Sequence, residues 1–312
     1  MDDRLQADRP AETHPLNEET TMTLTTRPRR IFMASDLSAR CDRALARAAS
    51  LARAWDSELT VVHLAHAAEV AAHDRLSSSA PSWRRPESWS QTLEHVLRAD
   101  LAAEGIAAAS RVVIGSTAEA VLHAAAADHA DLVVLGIAKD ARMDRIQLGS
   151  IADAFVRQSR VPVLNVRRRV RGSYRHVAVA TDFSPPALQA LRLAADWFEG
   201  ARLTLFHAYY APGSAAAGGP AASESWRAAA ARQCTLHLAE AALPAEVEGA
   251  LHRVLEQGPP EALLSDYVAN AEVDLVVMGS QGRSGLARAL IGSTAENLLH
   301  TLDCDTLVVR GS

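Results

Sequence analysis

Lysine is almost missing from this chain: Lys139 stands alone, so 31 of the 32 basic side chains are arginine. No G-x-x-x-x-G-K-[ST] run is present, which excludes a P-loop nucleotide hydrolase. With Lys139 the sole lysine, the second half of the chain has none of its own to assist phosphoryl transfer. A G-x-S-x-G elbow and an H-E-x-x-H helix are absent too, and a dedicated hydrolase or kinase is disfavoured. Cysteine is scarce. Cys41, Cys234 and Cys304 are odd in number, far apart and without C-x-x-C spacing, which argues against a disulfide framework or a zinc knuckle and for a reducing compartment. No apolar run reaches the roughly 18 residues of a membrane-spanning helix. Met1 to Arg30 lacks the apolar stretch of a secretory signal, so residues 1–29 read as a disordered leader and the protein as cytoplasmic, with no membrane partner. A basic excess is also missing. The formal net charge is −5, which speaks against a general nucleic-acid binder.

What is present is a repeat. A length of 312 residues suggests about two domains at roughly 100–200 residues each, and the two halves follow one plan. Each opens with an apolar run ending in Asp, Ile31-Phe-Met-Ala-Ser-Asp36 and Val177-Ala-Val-Ala-Thr-Asp182. A helical pattern follows, then a strand ending at His63 or His207, then one ending at Gly115 or Gly258. The closest matches are Asp131-Leu-Val-Val-Leu-Gly136 and Asp274-Leu-Val-Val-Met-Gly279. Gly115 and Gly136 stand 21 residues apart, as do Gly258 and Gly279, and a Gly-Ser pair follows 13 residues later in both, Gly149-Ser150 and Gly292-Ser293. Each half closes on an apolar strand, Val163–Val166 and Thr306–Val309.

Short Val/Leu/Ile runs alternating with helical patterns mean a parallel sheet covered on both faces. The reading is α/β: two tandem doubly wound domains, each a five-stranded parallel sheet flanked by helices, over 30–168 and 175–312. Residues 67–90 and 211–225, rich in Ser, Ala, Gly and Pro, read as surface loops, and 167–173 as the linker. In such sheets the ligand crevice lies at the carboxyl ends of the strands, which directs attention to Asp36, Asp182 and the loops after Gly136 and Gly279. The second loop runs Gly279-Ser-Gln-Gly282-Arg283-Ser-Gly285 and on to Gly292-Ser293-Thr294. Gly279 lets the backbone leave the strand sharply, Gly282 leaves room for a ligand group against the main chain, and Gly292-Ser293-Thr294 opens a helix whose free N–H groups suit an anion.

This G-2x-G-9x-G-[ST] spacing, together with the early Asp and the DLVVMGS segment, resembles the universal stress protein family, in two copies over nearly all of residues 30–310. The resemblance implies a strand order of 3-2-1-4-5 and, in one subgroup, bound ATP. It implies that Asp182 contacts adenine or ribose, that the backbone of Ala208 meets adenine, and that Gly279, Gly282, Gly292, Ser293 and Thr294 cradle phosphates. Thr181 and Arg283 complete the expected cofactor-binding set.

The first half departs from the pattern. Lys139 replaces the glycine at 282 and Arg142 the one at 285, while Asp140 and Asp144 add negative charge where phosphates would lie. Its nucleotide loop reads as degraded, and Lys139 as a surface or ion-paired side chain before a phosphate ligand. The second half departs once, carrying Cys304-Asp305 where the first has Val161-Pro162. Bland readings stand beside these. Asp36 and Asp182 could cap the following helices, although Ser38 and Ser184 are better caps. His63 and His207 read as satisfied strand-end histidines, Cys304 as a buried filler, and Arg167–Arg171 as a solvated linker. The expectation is an ATP-binding regulatory or stress-response protein using its second half, with Mg2+ as an optional companion of the nucleotide and no cofactor assigned to the first half. The two halves would pair as an internal pseudo-dimer through their final strands, with pairing of whole chains left open. The alternatives are a nucleotide-free scaffold or interaction module and, less favoured, a slow ATPase with a divalent ion between Asp182 and the phosphates.

Overall fold

A computed structural model describes residues 26–38, 41–78, 81, 83, 87–137, 149–209, 215–281 and 291–310. The first half runs β1 (Arg30–Ser35), α1 (Asp42–Trp55), β2 (Glu58–His66), α2 (Ala67–Ser78), α3 (Trp89–Ala103), β3 (Ala109–Gly115), α4 (Ala118–Ala127), β4 (Leu132–Gly136), α5 (Ser150–Gln158) and β5 (Val163–Val166). The second runs β6 (His176–Ala180), α6 (Pro185–Trp197), β7 (Arg202–Tyr209), α7 (Ala215–Ala241), α8 (Ala245–Ala250), β8 (His252–Gln257), α9 (Pro260–Asn270), β9 (Leu275–Gly279), α10 (Ser293–Thr301) and β10 (Asp305–Val309).

The strands form one continuous sheet of ten, ordered β3-β2-β1-β4-β5-β10-β9-β6-β7-β8. Each half therefore has the expected 3-2-1-4-5 order, parallel throughout. The halves join where β5 meets β10 antiparallel, Leu164 opposite Leu307 and Val163 opposite Val308. The inner strands are aliphatic along their whole length because both faces are covered: Met33, Val61, Val177 and Val277 are buried under one helical layer, and Phe32, Val133, Val276 and Val308 under the other. The first layer contains α1, α3, α6 and α7, and the second α4, α5, α9 and α10. Within the first layer the halves touch through aromatic rings, Trp55 lying 5.6 Å from Trp197 and 6.0 Å from Phe198 between centroids.

Two loop expectations are corrected. Residues 67–78 form α2, and α7 begins at Ala215, inside the stretch read as a loop. Alanine has the highest intrinsic helix propensity, and α7 gains a buried stripe further along, Ala230, Cys234, Leu238 and Ala241, at the spacing of one helix face. The last residues of the span expected to be a disordered leader are ordered. Residues 1–25 lie outside the described residues, but Thr26–Arg29 is held: Trp197 Nε1 donates to Thr26 O at 3.1 Å, Ser57 Oγ to Pro28 O at 2.6 Å, and Arg27 pairs with Glu199 at 3.0 Å.

Candidate functional site

Each half turns off its first strand through the same pair of local hydrogen bonds. Ser35 Oγ and Thr181 Oγ1 accept from the amides of Leu37 and Phe183, at 3.1 and 2.9 Å. Asp36 Oδ1 and Asp182 Oδ1 accept from the amides of Ser38 and Ser184, at 2.9 and 3.0 Å. These bonds hold Leu37 and Phe183 at φ 56° and 63°, the left-handed region that bulky residues avoid. The acidic side chains therefore first shape their own turns. At Asp36 burial raises the carboxyl's pKa, but bonds from Ser38 and Cys41 outweigh it and leave the group below the ordinary value. Downstream, Ser184 caps α6 as expected, its side chain accepting from Ala187 N at 3.4 Å ahead of Pro185 and Pro186. Ser38 does not cap α1, whose N-cap is Cys41. Ser38 Oγ instead donates to Asp36 Oδ1 at 2.6 Å.

In the second half this turn faces β9 and the start of α10 across a cavity of about 430 Å³, within the roughly 300–1,000 Å³ range of small-molecule sites. Of the nine residues expected from sequence, Thr181, Asp182, Ala208, Gly279, Gly292, Ser293 and Thr294 all line it. Gly282 and Arg283 lie outside the described residues. The apolar part of the lining, unnamed by the sequence reading, is Phe206, Leu264, Met278 and Leu298. Alternation along the strands and helices could have supplied it: Phe206 and Met278 point to the same face, and Leu264 and Leu298 lie on helices packed there.

The phosphate-type end of the cavity is the N-terminus of α10. Gly292 is its N-cap with extended backbone, φ −65° and ψ 144°, and no side chain caps the helix. Gly292 N is taken by Ser280 O at 2.8 Å, so the donors aimed at the cavity are those of the first turn, where an anion is favoured by orphan amides and the helix dipole. Gly279 has a packing reason to be glycine besides the ones the sequence suggested. A Cβ there would sit 2.9 Å from the backbone carbon of Pro186 and 3.0 Å from Ala187 N, so it lets α6 close against the strand end. Around the rim, His207 Nδ1 bonds Thr181 O at 2.7 Å, and its ring packs on Phe183 at 4.2 Å. His63 repeats this with Ser35 O at 3.0 Å, as strand-end histidines should. His237, buried behind Thr181 at 3.4 Å from its hydroxyl, has its pKa lowered by that burial and stays neutral at neutral pH.

In the first half, α5 begins like α10, with Gly149 as an uncapped N-cap at φ −61°. The intervening loop with Lys139, Asp140, Arg142 and Asp144 lies outside the described residues. A larger cavity of about 580 Å³ between α4 and α5 is bordered by Asp131 and Val161, at the amino ends of β4 and β5, away from the edge where such sheets bind ligands. No group of three or more metal-ligating side chains occurs among the described residues, and no helix among them is long and apolar enough to cross a membrane. Cys304 is fully buried, its thiol pushed up to about 12 by burial, in keeping with a packing role.

A family model described as the universal stress protein family matches residues 28–167 and again 173–310. Universal stress protein A homolog 2 of Coxiella burnetii is 41% identical over 59 residues, 19% of this chain and 40% of that protein. Universal stress protein E of Salmonella typhi is 39% identical over 56 residues, 18% of each. These alignments thus span well under two thirds of either relative. Among solved structures, a universal stress protein from Archaeoglobus fulgidus superposes with a TM-score of 0.67 at 18% identity, covering 91% of this chain and 99% of that one.

Proposed function

The chain belongs to the universal stress protein family, and we propose that it is a regulatory protein whose second half binds an adenine nucleotide of the ATP type. One observation carries the reading: seven residues from four separate stretches of sequence line a single cavity at an uncapped helix N-terminus. In this reading the first-turn amides of α10 and the Ser293 and Thr294 hydroxyls take phosphate oxygens, joined by Gly282 and Arg283 of the loop. Asp182 accepts from a ribose hydroxyl or the adenine amine. The base lies near the backbone of Ala208 over the apolar floor. Asp182 is the one carboxylate lining the cavity among the described residues, so a Mg2+ ion would rest mainly on the phosphates. A bound nucleotide would act as a signal or a structural cofactor, in a protein expected to be cytoplasmic.

The test is to denature the purified full chain and analyse the supernatant for adenine nucleotide, with calorimetric titration of ATP into nucleotide-free protein alongside. Release of nucleotide, or saturable binding, is expected. Gly292→Leu should abolish both, and Asp182→Ala should weaken ATP about 10–100-fold, the value of one charge-assisted hydrogen bond of roughly 1.5–3 kcal/mol. No binding at millimolar ATP would overturn the reading in favour of a nucleotide-free interaction module.

A further inference from the structure

The linker between the halves runs Arg167-Arg168-Arg169-Val170-Arg171 and borders a third cavity, of about 520 Å³, which reaches Asp274 at the start of β9, the opposite end of that strand from the nucleotide loop. Six arginines line it: Arg43, Arg47, Arg168, Arg169, Arg171 and Arg175. Neutral backbone groups hold three of them in place. Arg43 donates to Arg167 O at 2.7 Å, Arg47 to Gly172 O at 2.9 Å, and Arg168 to Asp303 O at 2.6 Å and Val273 O at 3.2 Å. The bonds to Arg43 and Arg168 fix their guanidinium groups without cancelling their charge. Arg169, Arg171 and Arg175 make no side-chain hydrogen bond or ion pair among the described residues.

Compensation within the cavity is small. Its carboxylates are Glu272 and Asp274, and Asp274 Oδ2 is already shared by the amides of Arg175 and His176, at 2.8 and 3.1 Å. Arg47, 4% exposed and packed over the Tyr174 ring at 4.0 Å, has its Nε 3.6 Å from the buried Asp305 carboxylate, which balances its charge. The other five guanidiniums share a cavity with two carboxylates, one of them already occupied, and such crowding of like charge favours an anion. The chain as a whole is acidic, at −5, so the cluster does not come from general basicity.

We propose that this arginine-lined cleft between the two halves binds a small soluble polyphosphate, an anion of two or more linked phosphate groups. A single phosphate of about −2 would leave most of the other five guanidiniums unpaired. Linked phosphates bring more charge and more oxygens, and arginine presents planar paired donors suited to phosphate oxygens. The site would tie the linker to both halves and so let a phosphate-rich ligand tighten their junction.

Calorimetric titration of the full chain with inorganic tripolyphosphate tests this, in parallel with orthophosphate, sulfate and a single-stranded oligonucleotide. The expected result is binding of tripolyphosphate at least tenfold tighter than orthophosphate or sulfate. Arg169→Gln/Arg171→Gln, two exposed positions whose replacement leaves the fold intact, should weaken it at least tenfold, and Arg169→Glu/Arg171→Glu should remove it. Gly292→Leu should leave it within twofold, which separates this site from the nucleotide cavity whatever the fate of the latter. ATP titrated into Gly292→Leu distinguishes the sources: affinity equal to tripolyphosphate supports a free polyphosphate, and tighter binding supports a nucleoside-borne one. An unchanged affinity in the linker variants, equal affinity for sulfate, or preference for the oligonucleotide would overturn the proposal.

Discussion

At the level of single residues, the repeated amino acids turn out to serve more than one purpose. Asp131 and Asp274 were visible as the first letters of the best-matched segments. Their side chains tie the start of the neighbouring strand, Asp131 Oδ2 accepting from Arg29 and Arg30 at 2.9 Å each, as Asp274 does from Arg175 and His176. Gly279 was legible as a necessary glycine, but its packing reason was not, because a contact with Pro186 across some ninety residues of sequence leaves no local trace. Gly279→Ala should destabilise the protein by about 1–3 kcal/mol, the usual penalty of forcing an atom into a packed site. A urea unfolding midpoint unchanged from the parent would contradict the 2.9 Å approach to Pro186.

Among elements, the parallel strands were legible because their aliphatic runs are bounded by turns, while their order followed from the family resemblance. Helix α2 and the start of α7 were not legible, because composition with Gly, Ser and Pro resembles a loop until a packing partner selects the buried face. α7 shows this, its identifiable stripe beginning only at Ala230. The cap of α6 was legible from Ser184-Pro185-Pro186, whereas that of α1 was displaced to Cys41 because Asp36 captures the Ser38 hydroxyl. Ser184→Ala removes both an N-cap and one wall of the turn carrying Asp182. A loss of about 1 kcal/mol is expected from the cap alone, measured by thermal unfolding, and ATP affinity should fall with it if the turn positions Asp182.

The whole molecule depends on one residue that sequence marked only as an oddity. Asp305 stands where the first half has Pro162. It is fully buried and receives the linker: Oδ1 accepts from the amides of Arg167 and Arg168 at 2.7 and 2.9 Å, and Oδ2 from the Tyr174 hydroxyl at 2.8 Å, with Arg47 at 3.6 Å. The Arg167 guanidinium in turn donates to the carbonyls of Leu299 and Leu302 at the end of α10. Burial lowers its pKa to about 10, still far above neutrality, so it remains charged. A proline at 305 could have made none of these contacts, so the two copies differ where the chain must pass from one to the other. Asp305→Ala strands the buried Arg47 charge and should cost about 3–5 kcal/mol, read from the urea midpoint; a loss below about 1 kcal/mol would show that the network is not a structural tie.

The strands and the doubled plan were determined by the sequence itself, since hydrophobic period, turn chemistry and repeat spacing are local properties written along the chain, and the repeat's resemblance to a known family added the strand order, the residues around the second-half cavity and, through the doubled plan, the pairing of the final strands. Tertiary structure alone decided that β5 and β10 meet antiparallel, that Gly279 answers to Pro186, and that the linker arginines gather around one cleft. Each of these depends on groups far apart in sequence being brought within a few ångströms, where close packing and desolvated charge set the energy and no local pattern records it.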